Sequence, residues 1–200
     1  MSDAFDIRAW MFKNRSYTPL PFLLVMVIFA EPTVTSLVIG FAIVLLGESI
    51  RFWGVAIAGA ETRTTGSVGG TYLITTGPFA HVRNPLYVGN MLMYAGVGVM
   101  SMALFPWLLI IACIWFLVQY SLIISREEEY LRGHFGAPYD AYTENVPRLL
   151  PRLTPYRSAA PPPKTLNLAE GFASERRTLQ AMSLVTLIIV ARFVYNVLAG

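Results

Sequence analysis

The amino-acid sequence predicts an all-α membrane protein, a polytopic transmembrane helical bundle of about five spans. Hydrophobic residues make up 55% of the 200 residues and charged residues only 14%, whereas roughly a quarter of the residues of a soluble chain are charged. So few charges cannot cover a surface that faces water, and the bilayer must therefore be part of the solvent. The apolar blocks that supply the helices are 16–30, 33–60, 85–103, 105–125 and 179–198.

The Lys and Arg residues of the loops predict the orientation, because cytoplasmic loops carry an excess of them. They gather in the N-terminal segment, in 61–84 and in 126–177, whereas the turns at 31–32 and 101–106 have none. With five spans, all three basic segments are cytoplasmic and the C-terminus lies on the opposite side. The first apolar block is shorter than the roughly 20 residues of a normal span, so a re-entrant arm stays open as the alternative.

Composition divides the chain into four parts. Residues 1–15 mix charged and apolar side chains and suit an amphipathic helix at the membrane interface, or else a frayed terminus. Residues 16–157 form the membrane core. Residues 158–177 are predicted to be a cytoplasmic linker, because three consecutive prolines there cannot continue a helix. Residues 178–200 form a C-terminal transmembrane helix that packs on its own core or on a neighbouring chain in a homo-oligomer.

Two segments of the cytoplasmic side carry most of the polar side chains. The first is 62–90, and its Asn84-Pro85 pair is typical of a helix start, since Asn is a good N-cap and Pro is tolerated at the first helical position. Arg83, Asn84 and Tyr87 are then expected at the mouth of the third span. The helix N-terminus carries partial positive charge there, which favours a carboxylate or another acceptor-rich group of a ligand.

The second segment, 126–151, leaves the fourth span with three consecutive acids, Glu127, Glu128 and Glu129. They are either a solvated helix face paired with neighbouring arginines, or one of them faces inward and binds a cation or hydroxyl groups. Two further charges, Glu48 and Arg51, lie inside the second apolar block. Residues three apart share a helix face, and the pair is either a structural ion pair or a polar wall of a site.

The sequence lacks the motifs of several other kinds of site. The glycines of 66–70 have neither the GxGxxG spacing nor the GK[ST] ending of nucleotide-binding loops. His81 and His134 have no ligand partners at metal spacing, and Cys113 is a single thiol inside an apolar run. No metal site and no nucleic-acid partner is expected.

An ordered set of short motifs runs from Thr71 to Pro151. It comprises Gly77-Pro78-Phe79, Arg83-Asn84-Pro85-Leu86-Tyr87-Val88-Gly89, Glu127-Glu128 with Leu131, Phe135-Gly136 with Tyr139 and Tyr142, and Pro147 to Pro151. The set resembles the isoprenylcysteine carboxyl methyltransferase and phospholipid methyltransferase family of membrane enzymes. The resemblance implies a cytoplasmic cofactor-binding cap, formed by 71–90 and 126–151, that binds S-adenosylmethionine without a Rossmann domain. It also implies a lipid-like methyl acceptor, either a prenylcysteine-type carboxylate or a phospholipid amine.

The resemblance assigns roles to individual residues. The implied cofactor-binding residues are Thr71, Tyr72, Leu73, Ile74, Phe79, Asn84, Pro85, Leu86, Tyr87 and Glu127. Catalytic roles fall to Arg83, Tyr87 and Glu128, and Glu128 or Glu48 would be the base for an amine acceptor. The candidate substrate-binding residues are Glu48, Arg51 and Arg126.

Three positions depart from the carboxyl methyltransferases. Thr71 and Asn84 stand where that subgroup commonly has histidine, and Ile123 stands where it has an arginine that contacts the acceptor. Arg126 or Arg51 is the expected substitute for that arginine. The departures leave the acceptor open, and a phospholipid amine, a prenylated carboxylate and a small thiol all stay possible.

Two other functions stay open at this point. One is an NADPH-dependent sterol-type reductase of the same superfamily, which would need a site for the extra phosphate. The other is a non-enzymatic small membrane protein, which would bind no such cofactor.

Overall fold

The structure, a computed structural model, describes residues 6–59, 72–157 and 166–199. Within these ranges the ordered elements are helices. They are α1 (Ile7–Asn14), α2 (Leu20–Ile28), α3 (Val34–Ala58), a short 3-10 helix (Gly77–Ala80), α4 (Pro85–Ser101), α5 (Trp107–Phe135), α6 (Ala137–Asn145) and α7 (Leu168–Ala199). The predicted all-α fold is confirmed.

Three helices of the described part are long and apolar enough to cross a membrane, namely α3, α5 and α7. Their outer faces present large aliphatic side chains such as Leu45 and Leu187, which are 51% and 66% exposed, as lipid-facing surfaces do. The chain is therefore a membrane protein built as a helical bundle. With 17 residues in α4 and 9 in α2, these helices are about 25 Å and 14 Å long. Five spans and their orientation stay predictions.

The C-terminal helix begins earlier than hydropathy predicts. α7 starts at Leu168 rather than near residue 178, so most of the described part of the predicted linker is helical. Glu170, Arg176 and Arg177 interrupt the apolar pattern over this stretch, and a search for apolar runs therefore misses it. The proline-rich stretch of the predicted linker lies in 158–165, outside the described residues.

Glycines bring α3 and α4 into close contact. Gly47 of α3 faces Gly89 of α4, and Gly40 faces Gly96. A Cβ at Gly47 would lie 2.6 Å from the carbonyl oxygen of Gly89, and one at Gly96 would lie 2.7 Å from that of Gly40. Small residues permit such close backbone approach in membrane bundles. The contact fixes the first turn of α4 beside the last turns of α3.

The N-terminal helix α1 packs on the last turns of α5. Its Phe12 is buried, and Asp6 caps the helix by accepting hydrogen bonds from the first backbone N–H groups. Arg8 pairs with Glu129 of α5 at 2.9 Å. These contacts hold α1 against the end of the bundle at which Glu127 lies, and its place at a membrane interface stays a prediction.

Candidate active site

Two segments that are far apart in sequence form a cap over one end of the bundle. The cap is defined here as 72–84 together with 136–156. Three backbone hydrogen bonds join its two parts. They run from Arg83 N to Pro147 O (2.9 Å), from Arg152 N to His81 O (2.9 Å) and from Tyr156 N to Ala80 O (2.8 Å).

Tyr142 of α6 binds the 3-10 helix and so joins the two parts of the cap. Its phenol donates a hydrogen bond to the carbonyl oxygen of Phe79 at 2.7 Å. Burial raises the pKa of the Tyr142 phenol above its ordinary value, so the phenol keeps its proton and remains a donor. Tyr139 and Val146 are buried beside it in a small apolar cluster. The cap therefore has a core of its own.

Arg83 is the polar link between the cap and α5. It pairs with Glu128 at 3.0 Å and donates to the carbonyl oxygens of Thr143 (2.8 Å) and Val146 (2.9 Å). Arg148 pairs with the same carboxylate. Glu128 is thus held between two guanidinium groups, and it is buried.

A cavity of about 640 Å³ lies beneath the cap and continues between the helices. Its volume falls in the range of roughly 300–1,000 Å³ that is usual for small-molecule sites. The predicted cofactor-binding residues that line it are Tyr72, Leu73, Ile74, Phe79, Asn84, Pro85, Leu86, Tyr87 and Glu127. Thr71 lies outside the described residues. The two segments singled out from the sequence therefore face one common space.

Tyr87 and Glu127 meet at the wall of this cavity. The Tyr87 phenol donates to a Glu127 carboxylate oxygen at 2.8 Å. The Tyr87 ring packs on Tyr120 of α5 with centroids 4.8 Å apart. Tyr87 comes from the first turn of α4 and Glu127 from the last turns of α5, so the pair joins the two predicted cofactor segments at the level of the helix ends.

Asn84 occupies the predicted N-cap position of α4 but does not cap the helix with its side chain. The Asn84 amide instead donates to the carbonyl oxygen of Arg148 at 3.1 Å. The prediction that the Asn84 side chain caps α4 is therefore wrong. The carbonyl oxygen of Arg148 is a partner that the sequence does not reveal. The helix does begin at Pro85, as predicted.

Arg51 joins three helices at the inner part of the cavity. Its guanidinium pairs with both carboxylate oxygens of Glu175 of α7, at 2.9 and 3.0 Å, and donates to the amide oxygen of Asn90 of α4. All three residues line the cavity. Glu48, the predicted partner, is 4.0 Å from Arg51, and its buried oxygens accept no hydrogen bond within the described residues.

The structure does not bring every predicted site residue to the cavity wall. Arg83, Tyr87 and Arg51 line it, whereas Glu128, Glu48 and Arg126 are not among its lining residues. Arg126 lies 3.6 Å from Asp6 at the contact between α1 and α5. Glu128 faces Arg83 and Arg148 instead, because successive residues of a helix point about 100° apart and Glu127 takes the inward direction.

Several lining residues are missing from the sequence-based prediction. They include Arg15, Tyr94, Tyr120 and the α7 residues Glu175, Arg177, Thr178, Ala181, Met182 and Val185. The α7 positions recur at helical spacing, which was the one signal available for them. That spacing marks a face but does not say what the face contacts.

Metal ligands form no cluster in the part of the chain that the structure describes. No group of three His, Cys, Asp or Glu side chains lies there in a position to hold a metal ion. The acids at the cavity are instead paired with Arg51 or hydrogen-bonded to Tyr87.

Fold and site together define a class: a membrane-embedded helical bundle with a small-molecule cavity under a cap at one end. The sequence model of the phospholipid methyltransferase family matches residues 35–138, and the chain belongs to this family. The match runs from α3 to the start of α6 and includes both residues of the Tyr87–Glu127 contact. The family is one of membrane methyltransferases, in agreement with the predicted resemblance.

Two curated relatives are named for metal resistance. The chain is 35% identical over 88 residues to the nickel-cobalt-cadmium resistance protein NccN of Alcaligenes xylosoxydans xylosoxydans, covering 44% of this chain and 40% of the relative. It is 30% identical over 118 residues to the cobalt-zinc-cadmium resistance protein CzcN of Cupriavidus metallidurans, covering 56% of this chain and 50% of the relative. The matched part is thus half or less of each relative's length.

Proposed function

We propose that this chain transfers a methyl group from S-adenosylmethionine to a lipid-like acceptor at the cytoplasmic face of the membrane. The observation that carries the proposal is the cavity of about 640 Å³, which both predicted cofactor segments line together. Membership of the phospholipid methyltransferase family supplies the reaction class. The cavity also continues between apolar helices, where the apolar part of a lipid-like molecule can be buried.

The residues of the capped end of the cavity fit the parts of this cofactor. Phe79 and Tyr72 offer aromatic faces to an adenine ring, and Glu127 offers a carboxylate to hydroxyl or ammonium groups. The N-terminus of α4 at Pro85 turns its positive end toward the same space, which favours a carboxylate. Aromatic, acidic and helix-end groups therefore converge where a molecule of mixed polarity would bind.

When bound, S-adenosylmethionine supplies an activated methyl group on a sulfonium. The chain's own contribution is then to align the acceptor with that methyl group and to keep water away. Tyr87 and Tyr120 form an aromatic wall at the junction of the two cofactor segments. A ring face attracts positive charge, so this wall suits the sulfonium. Alignment is left to the packing of α4, α5 and α7 around the cavity.

A carboxylate acceptor needs no base, whereas a protonated amine acceptor does. Glu128 was one candidate base, but its carboxylate is paired with Arg83 and Arg148. These ion pairs attach the cap to α5. Glu48, the other candidate, has buried oxygens without a hydrogen bond within the described residues and lies close to Arg51. Glu48 does not line the cavity either, so neither acid is assigned as the base for an amine acceptor.

Calorimetric titration of the purified chain with S-adenosylhomocysteine tests the cofactor assignment. We expect the wild type to bind it, and Glu127→Ala to weaken the affinity by about tenfold to a hundredfold, since a hydrogen bond to a charged group contributes roughly 1.5–3 kcal/mol. Glu129→Ala is the matched control, because this neighbouring carboxylate is 69% exposed and pairs only with Arg8 of α1 among the described contacts. It should bind as the wild type does.

The same titration separates the alternatives. NADPH should give no heat of binding if the chain is a methyltransferase, whereas a sterol-type reductase would bind NADPH and not S-adenosylhomocysteine. Absence of binding by either molecule, in detergent and in lipid, would favour a non-enzymatic membrane protein and end the proposal.

A further inference from the structure

One face of α7 contacts the rest of the bundle near both ends of the helix. At the capped end, Gly171 packs on Ala56 and Phe52 of α3, and Glu175 binds Arg51. At the far end, Ile189 is fully buried and Arg192 donates to the carbonyl oxygen of Ala30 at 3.4 Å. These α7 residues lie on the same stripe of the helix, because they are separated by four, fourteen and three positions.

Between these contacts the same stripe faces the cavity. Its residues there are Thr178, Ala181, Met182 and Val185, and all four line the cavity. Met182 and Val185 also pack against the core of the bundle, so this part of α7 forms a wall of the cavity while it contacts the neighbouring helices. Opposite it stand Leu23 of α2 and Met93 and Tyr94 of α4. We refer to this space as the arm of the cavity.

The arm lies well inside the membrane-spanning part of the bundle. Met93 is level with Gly47 of α3, since a Cβ at Gly47 would lie 2.9 Å from Met93 N. Gly47 is followed by three helical turns before α3 ends at Ala58, which places this level about 17 Å from the capped end. The hydrocarbon core of a bilayer is roughly 30 Å thick. The arm thus reaches about half-way through it.

The chemistry of the arm changes along its length. At its entrance from the capped end stand Arg51, Asn90 and Glu175, and Arg51 donates hydrogen bonds to the other two. Beyond them the lining is mostly aliphatic side chains and methionine thioethers, with one tyrosine ring. An apolar space at this depth is costly to leave empty, because its lining loses van der Waals partners. An unbranched or prenyl-type apolar chain fits such a space, with its polar end near Asn90 and the cofactor residues.

We propose that the arm holds the apolar chain of the methyl acceptor, and that Ala181, Met182 and Val185 of α7 determine which chain is accepted. This inference rests on the proposed methyl transfer. It assigns acceptor selection to α7, a helix that lies beyond the residues 35–138 matched by the family. The family core would then supply the cofactor end of the cavity, and the additional helix would supply the acceptor end.

Photolabelling with a dodecanol that carries a diazirine in its chain tests the proposal on the full chain in lipid nanodiscs. The readout is labelling of Tyr94 in the arm and of Tyr195, which is 62% exposed on the lipid-facing side of α7. Excess unlabelled dodecanol should suppress labelling of Tyr94 and leave Tyr195 unchanged. Ala181→Phe, which fills the arm, should lower Tyr94 labelling about fifteenfold, the equivalent of two buried methylene groups at about fourfold each.

Ala191→Phe is the matched control, since Ala191 is exposed on the opposite side of the same helix. It should label as the wild type does, and both variants should still bind S-adenosylhomocysteine. Equal Tyr94 labelling in the two variants, with that binding intact, overturns the assignment of the arm. If the wild type does not bind S-adenosylhomocysteine, the proposed function itself is overturned.

A second variant keeps the test decisive if Ala181→Phe does not fold. Met182→Ala widens the arm, so Tyr94 labelling should shift in favour of a longer alcohol, with hexadecanol competing better than it does in the wild type. An unchanged preference between dodecanol and hexadecanol contradicts the proposal.

Discussion

Replacement of Glu128 by alanine is expected to release the cap from the bundle. The substitution leaves Arg83 without its carboxylate in a site where its side chain is only 13% exposed. Breaking a buried ion pair in this way costs about 3–5 kcal/mol. We expect the cost of Glu128→Ala to lie near the lower end of that range, because Arg148, the second partner of Glu128, is 40% exposed and can be solvated. The free energy of unfolding should fall by about 3 kcal/mol, and S-adenosylhomocysteine should no longer bind.

Glu129→Ala provides the comparison for this result. The pair of Glu129 with Arg8 has side chains that are 69% and 42% exposed, and exposed ion pairs contribute about 0–1 kcal/mol. Thermal or denaturant unfolding of the two variants in one detergent measures the difference. If Glu128→Ala and Glu129→Ala unfold alike, the Arg83–Glu128 link does not hold the cap.

Gly96→Ala is expected to separate α3 from α4 and to destabilise the bundle. The new Cβ would lie 2.7 Å from Gly40 O, 2.7 Å from a methyl group of Val44 and 2.8 Å from Val44 N. Two of these atoms are backbone, so the helices themselves must move. Overpacking of this kind costs about 1–3 kcal/mol and occasionally more. Because Asn84 and Tyr87 are placed by α4, cofactor binding should weaken together with stability.

Gly133→Ala is the matched control for the same chemical change in α5. A Cβ at Gly133 meets nothing within 4 Å, and glycine inside a helix is less stable than alanine by roughly 0.5–1 kcal/mol. This variant should therefore be slightly more stable than the wild type. Unfolding curves in which Gly96→Ala is as stable as Gly133→Ala would show that α3 and α4 do not depend on their glycine contact.

The residues at the capped end of the cavity could be predicted from the sequence because their signals are local. Asn84-Pro85 sets the start of α4, and this start places Tyr87 at the helix mouth. The three acids after the fourth span marked the facing helix, but not which acid faces inward. That choice depends on the rotation of α5, which packing decides: Glu127 turns to the cavity and Glu128 to Arg83.

The arm of the cavity could not be predicted from the sequence because contacts between distant residues build it. Arg51 and Glu175 are 124 positions apart, and nothing in the sequence around either residue indicates that they meet. The nearby Glu48 was therefore the expected partner of Arg51. The first turns of α7 carry charged residues, so the sequence pattern assigns them to a linker, although they form the helix that closes the cavity.

Transfer of a labelled methyl group tests the central claim most directly. Membranes that contain the chain are incubated with S-adenosylmethionine tritiated in its methyl group, and the lipid fraction is then extracted and counted. We expect the wild type and Glu129→Ala to place label in the lipid fraction and Glu127→Ala to place little, because Glu127 lines the cavity and Glu129 does not. Label in the lipid fraction no higher with the wild type than in membranes without the chain would contradict the account.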